Sequence, residues 1–482
     1  MRVFLGNSPW SKPGLYGVRA GSRWPHFERC GDPYMPFPFY LAYATAVLEK
    51  AGHDVLLLDG IAERISDDTF FERMQHFKPD LVLLEVSTPS IGKDLGDARR
   101  VKETLGKSVP IVFAGPYIEM YRSGFLEAQQ DVDFVLMGEY EYTLRDLVEA
   151  YSTGKSWLGI AGLIGRGSSG QVVVGERRPL IENLDELPWP ARHHLPMASY
   201  HDCPGGIPCP SLQMWASRGC PYKCIFCAWP QIMYHGSRYR VRNPKDVVDE
   251  IEHCVREYGI QSLYFDDDTF NIGKKRILEI CDELKSRRLG LPWAVMARAD
   301  TADLEMLQAM KGAGLQSIKY GVESASQKLV DACGKALDLK KVEQIVKHTR
   351  NLGINFHLTF TFGLPGETRE TIRQTIRYAK KLSPDSIQFS IVTPFPGSAY
   401  FDMLDKQGFL LSKDWTQYDG SNQAVIRTEN LSKEQLEEGL RMAYREWDRH
   451  KFWRTFRQGK YLKKGMLHPV KALRYIRRHL GA

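Results

Sequence analysis

Long apolar runs, internal repeats and acidic residues at the carboxyl end are all missing from this 482-residue chain, and each absence narrows what it can be. No stretch approaches the roughly 18 consecutive apolar residues that a membrane-spanning helix needs. The opening MRVFLGNSPW lacks a basic segment followed by a long apolar one, so a cytoplasmic chain is the expectation. Cysteine is scarce, nine residues in all, and without an export signal disulfide pairing is not expected; metal binding becomes the question. From Arg449 to Ala482 there is no acid against 11 Lys and Arg, so the formal net charge of +7 belongs to a tail and the rest sums to −4. What is present is an ordinary globular balance, 43% hydrophobic and 26% charged, which excludes disorder, collagen and a disulfide miniprotein. The length exceeds the roughly 100–200 residues of one domain, so two or three are expected.

The first 150 residues alternate short apolar runs (MRVFLGN, DVLLLDG, DLVLLEVS, PIVFAGP, DFVLMGE) with helical patterns, the signature of strands buried on both faces in a doubly wound parallel sheet. Ligands bind such sheets at the carboxyl ends of the strands. Those loops carry Ser87, Thr88, Gly115, Gly138 and Glu139. Residues 151–205 are rich in Gly, Pro and Ser and read as a linker with a short hairpin in it. A second alternating region, 206–398, has six strand signals separated by five helices and predicts a partial (β/α)6 barrel. Residues 399–482 form a helical segment ending in the basic tail.

Just after the first barrel strand stands Arg218-Gly219-Cys220-Pro221-Tyr222-Lys223-Cys224-Ile225-Phe226-Cys227. Three thiols so spaced can converge on one cluster, and three is one fewer than a closed zinc site or a ferredoxin-type cluster takes. An open iron position would result. The competing reading is a zinc site completed by Cys203, Cys209 or a histidine. Cys30, Cys254, Cys281 and Cys333 read as lone, buried small hydrophobes.

RGCPYKCIFC at the head of a six-unit barrel resembles the radical S-adenosylmethionine superfamily, and the preceding sheet resembles the domain of its cobalamin-dependent subgroup. The resemblance spans Met1 to Ser398. It implies that Cys220, Cys224 and Cys227 ligate a four-iron four-sulfur cluster and that Phe226 touches the adenine of S-adenosylmethionine. It places one of Asp266, Asp267 and Asp268, after the second strand, on the methionyl amino group, with Asp267 and Asp268 the candidates. Arg298 and Glu323 match contacts to carboxylate and ribose. Ser87, Thr88, Gly115, Gly138 and Glu139 match cobalamin contacts, although Tyr140 replaces the second glycine of the usual Gly-Glu-Gly-Glu stretch. The loop after the first strand has no Asp-x-His-x-x-Gly, so no protein histidine is expected beneath the cobalt.

The implied chemistry is reductive cleavage of S-adenosylmethionine to a 5′-deoxyadenosyl radical that abstracts hydrogen from an unactivated carbon, for carbon methylation. Cyclisation or rearrangement without methyl transfer is the alternative, and a non-catalytic cobalamin or redox sensor is the rival of another class. Expected partners are a small-molecule or lipid-like substrate and an external one-electron reductant of flavodoxin or ferredoxin type. Basic and aromatic residues interleave through 449–482, which suits peripheral contact with the inner membrane face better than nucleic acid. Arg19 and Arg23 lie in a segment, Gly17 to Trp24, that reads as a surface loop near the cobalamin face.

Overall fold

The computed structural model describes residues 1–31, 34–167, 169–202, 206–419 and 423–457; Cys203 and the tail beyond 457 fall outside them. The chain begins with β1 (Arg2–Asn7) and a small antiparallel sheet of β2 (Ser11–Lys12), β3 (Leu15–Val18) and β4 (His26–Arg29). There follow α1 (Phe39–Lys50), β5 (Asp54–Asp59), α2 (Asp67–Phe77), β6 (Leu81–Glu85), α3 (Ile91–Leu105), β7 (Ile111–Ala114), α4 (Pro116–Ala128), β8 (Phe134–Leu136) and α5 (Glu141–Ser152). Strands β5-β1-β6-β7-β8 pair in parallel in that order. The hairpin β9 (Leu163–Arg166) and β10 (Val172–Val174), from the Gly- and Ser-rich stretch, adds two antiparallel strands beside β8.

Strand periodicity sorts the apolar runs onto two faces. Val3, Leu5, Leu81 and Leu83 enter one core, while Phe4, Val82 and Leu84 enter a separate one. The first of these is continuous with the core of the second sheet. Each such side chain contributes about 1.5–3 kcal/mol on burial, so the shared core welds the two sheets together.

The second unit runs β11 (Ser211–Met214), β12 (Ser217–Gly219), α6 (Ala228–Ile232), β13 (Tyr239–Val241), α7 (Pro244–Tyr258), β14 (Ser262–Phe265), α8 (Lys274–Ser286), β15 (Trp293–Ala297), α9 (Leu304–Gly312) and β16 (Leu315–Glu323). It continues with α10 (Gln327–Ala332), α11 (Leu339–Asn351), β17 (Asn355–Phe362), α12 (Arg369–Leu382), β18 (Ser386–Ile391), α13 (Ala399–Lys406) and α14 (Lys433–Arg457). Strands β11-β14-β15-β16-β17-β18 form one parallel sheet whose ends do not meet, an open six-stranded barrel. Helix boundaries follow local chemistry. Asn243 caps α7 by accepting from the Lys245 amide at 2.9 Å, Pro244 sits in its first turn, and Gly259 ends it at φ 61°.

Two expectations change. Gly17 to Trp24 is not a plain surface loop: Gly17 and Val18 belong to β3, and Arg19 is buried because it satisfies Asn7, Ser8, Ser90 and Asp94. Cys254, Cys281 and Cys333 are buried, but Cys30 is exposed, at the edge of the small antiparallel sheet. No helix among the described residues is long and apolar enough to cross a membrane.

Candidate active site

A cleft between the first sheet and the barrel is lined by Arg19, Arg23, Glu85, Ser87 and Thr88 on one side and by Trp229, Ile232 and Phe395 on the other. On the barrel side the cysteine loop leaves β12 through Gly219, whose φ is 87° and where a Cβ would lie 1.9 Å from the Arg238 carbonyl oxygen. Only glycine fits there. Gln231, in α6, then holds the loop shut. Its Nε2 donates to the carbonyls of Cys224, Ile225 and Cys227 at 2.9, 3.0 and 2.7 Å, and its Oε1 accepts from the Ala399 amide at 2.8 Å. From below, the Ile225 amide donates to the Cys333 carbonyl at 2.9 Å, and Gly334 presses on the Lys223 carbonyl.

Burial pushes all three thiols up, Cys227 well above its ordinary range with Cys224 and Cys220 adding to the effect. Holding them as thiolates therefore needs a metal group. A closed zinc site takes four ligands and this loop supplies three, a donor set that suits an iron–sulfur cluster with one iron left open. Cys209 is exposed, and the Cys333 thiol donates to the Val330 carbonyl at 3.2 Å.

The three aspartates after β14 are separated by their partners. Asp267, fully buried and pushed up to about 6 by that burial, accepts from Ser217 and from the Ala216 amide, which ties β12 to β14. Asp268 instead accepts from the Gly219 amide at 3.0 Å with one oxygen and from Arg23 Nε at 2.9 Å with the other. Arg23 also donates to the Asp266 carboxylate at 2.8 Å and to its carbonyl at 2.6 Å. Thr269 Oγ1 lies 3.4 Å from Cys220 Sγ. Phe226, within the loop, is buried.

Arg298, after β15, spans Asp300 at 3.0 and 2.7 Å and stacks 3.4 Å from the ring centre of Tyr222 within the cysteine loop. Glu323, at the end of β16, accepts from Lys335 Nζ at 2.8 Å and from Thr361 Oγ1 at 2.8 Å. Its φ of 69° is unusual for a side-chain-bearing residue and costs about 1–3 kcal/mol, strain of the kind that gathers at functional sites. Lys335 and Gln231 were not legible in the sequence, because neither belongs to a recurrent pattern. The Arg23 contact spans 245 residues, and only the presence of two arginines in a segment at the sheet's ligand face hinted at it.

On the other wall, Ser87 and Thr88 follow β6, and the Ser87 and Ser90 hydroxyls bond each other at 2.8 Å. Gly115 adopts φ 125° with its Cα against the Val86 carbonyl, and Gly138 adopts φ 62°. Glu85, pushed up to about 7 by burial, accepts from Tyr140 Oη at 2.9 Å. Hydroxyls on this wall and Trp229 and Phe395 opposite suit a large ring carrying amide arms. Glu139 points elsewhere. It meets Arg218 at 3.0 Å and Arg240 at 2.6 Å, and Glu141 meets Arg218 at 2.7 Å, so the loop after β8 is locked to the strand that leads into the cysteine loop. Burial would raise the Glu139 carboxyl, but the two guanidinium groups hold it below its ordinary value.

The sequence agrees with this geometry. The description of the radical SAM superfamily fits residues 216–379, and that of the B12 binding domain fits residues 34–148. The chain belongs to the cobalamin-dependent branch of the radical S-adenosylmethionine enzymes, whose cofactors are a four-iron four-sulfur cluster, S-adenosylmethionine and cobalamin. It is 32% identical over 407 residues to an uncharacterized methyltransferase of Pyrococcus horikoshii, covering 84% of this chain and 86% of that protein. It is 28% identical over 457 residues to the anaerobic magnesium-protoporphyrin IX monomethyl ester cyclase of Cereibacter sphaeroides, covering 92% of this chain and 70% of that one. The fold matches the radical S-adenosylmethionine methyltransferase TsrM of Kitasatospora setae, solved with cobalamin and its cluster, with TM-score 0.65 and 21% identity over 84% of this chain and 75% of that one. Enzymes of this family act on small molecules and draw on an external reductant.

Proposed function

We propose that this chain methylates an unactivated carbon of a small molecule, with Cys220, Cys224 and Cys227 holding the cluster and the loops after β6, β7 and β8 holding cobalamin. When bound, the cluster and S-adenosylmethionine supply a carbon-centred radical and cobalamin supplies a methyl carrier. The chain's own residues bind, orient and exclude water. Asp268, already bonded to the Gly219 amide and to Arg23, would meet the methionyl amino group beside those partners, whereas Asp267 acts through β12. Arg298 and Glu323 would hold the carboxylate and ribose of S-adenosylmethionine, Phe226 would touch its adenine, and Ser87, Thr88, Gly115 and Gly138 would hold the corrin. Glu139 positions the loop through Arg218. Trp229 and Phe395 shield the cleft.

The observation that carries this reading is a shared wall. Arg23 lines the cleft above Ser87 and Thr88, and it bonds Asp268, whose second oxygen takes the Gly219 amide next to Cys220. That chain of contacts couples the loop proposed for the cluster to the loops proposed for cobalamin. The test is anaerobic reconstitution with iron, sulfide, cobalamin, a low-potential reductant and methyl-labelled S-adenosylmethionine. 5′-Deoxyadenosine above background from the parent, and none from Cys224→Ala, is expected. None from the parent with its cluster verified overturns the reading.

Cyclisation is the second reading, favoured by the similarity to the cyclase across 92% of the chain. Label entering product separates them: turnover without label supports cyclisation. A flavodoxin or ferredoxin fits the reductant role. Peripheral membrane contact through 449–482 rests on that segment's basic and aromatic composition alone, and liposome sedimentation with and without it is the check.

A further inference from the structure

Outside the cleft, Glu49, His193 and His194 bring their ligand atoms within 4.8 Å of one another. Glu49 lies in the last turn of α1, and the histidines form the short helical turn 192–194 that leads toward β11. Both imidazole Nε2 atoms approach the same carboxylate oxygen, Glu49 Oε1, at 3.0 and 2.8 Å. Adjacent residues ordinarily diverge, so this convergence on one point is specific to the turn. The edge of a tetrahedral zinc site with bonds of about 2.0–2.1 Å is about 3.3 Å. The two histidine–glutamate separations therefore need to lengthen by only about 0.3–0.5 Å to match two edges of such a site.

The scaffold on both sides is rigid. The Ala191 amide donates to the Ala42 carbonyl of α1 at 3.0 Å, and Arg192 beside the histidines is buried against Glu250 at 3.0 Å. Phe39 of α1 stacks on Trp215 with ring centres 4.1 Å apart, which fixes the helix that carries Glu49. Ligands built on fixed elements hold a metal without reorganisation. Glu49 also sits at the negative end of the helix dipole, which favours a cation. His193 keeps 60% of its side-chain exposure and His194 16%, so an ion has access from solvent. A groove lined by Glu49, His193, Trp189 and His253 opens beside them, with room for a water as fourth ligand.

We infer that Glu49, His193 and His194 form a divalent-cation site of the zinc class that pins the segment entering the barrel onto α1 of the first sheet. Two neutral imidazoles and one carboxylate with an open fourth position are a donor set that borderline ions such as zinc accept. The site stands apart from the cysteine loop and independent of the reaction assigned there.

Zinc itself is the probe, added to the full chain carrying its cluster. One added zinc per chain is expected, with an X-ray absorption shell of nitrogen and oxygen only at about 2.0–2.1 Å and a rise in melting temperature. The paired substitution His193→Ala with His194→Ala, and separately Glu49→Gln, should each weaken zinc binding at least tenfold and abolish the rise. Glu49→Gln keeps the shape and hydrogen-bonding reach of the side chain, so it reports on the site even where the double variant folds poorly. Sulfur at about 2.3 Å in the zinc shell, or zinc binding undiminished in Glu49→Gln, overturns the assignment.

Discussion

The two walls of the cleft are built on opposite plans. On the barrel side, the thiols come from eight consecutive residues, Cys220 to Cys227, that run directly into Ala228 and Trp229 of the cleft lining and are wrapped by neighbours such as Gln231 that satisfy their carbonyls. On the other side, the contributing positions are scattered over β6, β7 and β8, and the charged ones are spent on partners far away in the chain. Glu139 reaches Arg218 and Arg240, and Arg19 reaches Asp94. Compact sites are specified by spacing. Dispersed ones are specified by topology, and the difference decides which substitutions are fatal and which only loosen the joint.

The largest contrast should come from the cysteines. Replacing Cys220, Cys224 and Cys227 by Ala should lower iron to background and abolish 5′-deoxyadenosine formation, while cobalamin binding measured by visible absorbance persists. Loss of both together would mean that the walls fold as one cooperative unit around the cluster.

Next is the joint itself. Arg23→Met strands Asp266 and Asp268 without their cation, and breaking a buried pair from one side costs about 3–5 kcal/mol. Urea unfolding should show that loss, and adding Asp268→Asn should recover part of it. Equal stability of single and double variants would remove Arg23 from the coupling between walls.

A smaller effect is expected from Gln231→Ala, which leaves three carbonyls of the cysteine loop without their donor and costs about 1–3 kcal/mol. The sharper readout is kinetic: the cluster should be lost to chelator faster than from the parent. Unchanged loss would shift that role to Cys333 and Gly334.

The smallest concerns pH. Glu85 is pushed up to about 7 by burial. The folded state therefore binds a proton that the unfolded chain releases near pH 4, and stability from this group is present below that pH and declines as pH rises toward 7. Glu85→Gln should flatten the decline across that window. A parallel slope in both proteins would assign it to another group.

How much of this was legible in the sequence follows the same division. Apolar runs at strand period gave both sheets, because a strand covered on two faces leaves a continuous signature. The cysteine spacing marked its loop outright. The hairpin of β9 and β10 was suggested by its Gly and Ser, but its attachment to β8 was not, since pairing depends on where the preceding helix returns the chain. Asp266, Asp267 and Asp268 were indistinguishable as letters. Their roles divided only when Ser217 and Ala216 took one and Arg23 took the other two.

The lock among Arg218, Arg240, Glu139 and Glu141 has a bearing on how such a protein can be dissected or recombined. A barrel expressed from residue 206 onward would carry two interior guanidinium groups deprived of every opposing charge they meet in the first unit, on the strand pair that leads into the cysteine loop. Grafting a foreign corrin carrier onto this barrel would thus succeed only if the donor brought acids to the same two places. The halves are interchangeable as architecture but matched as electrostatic counterparts.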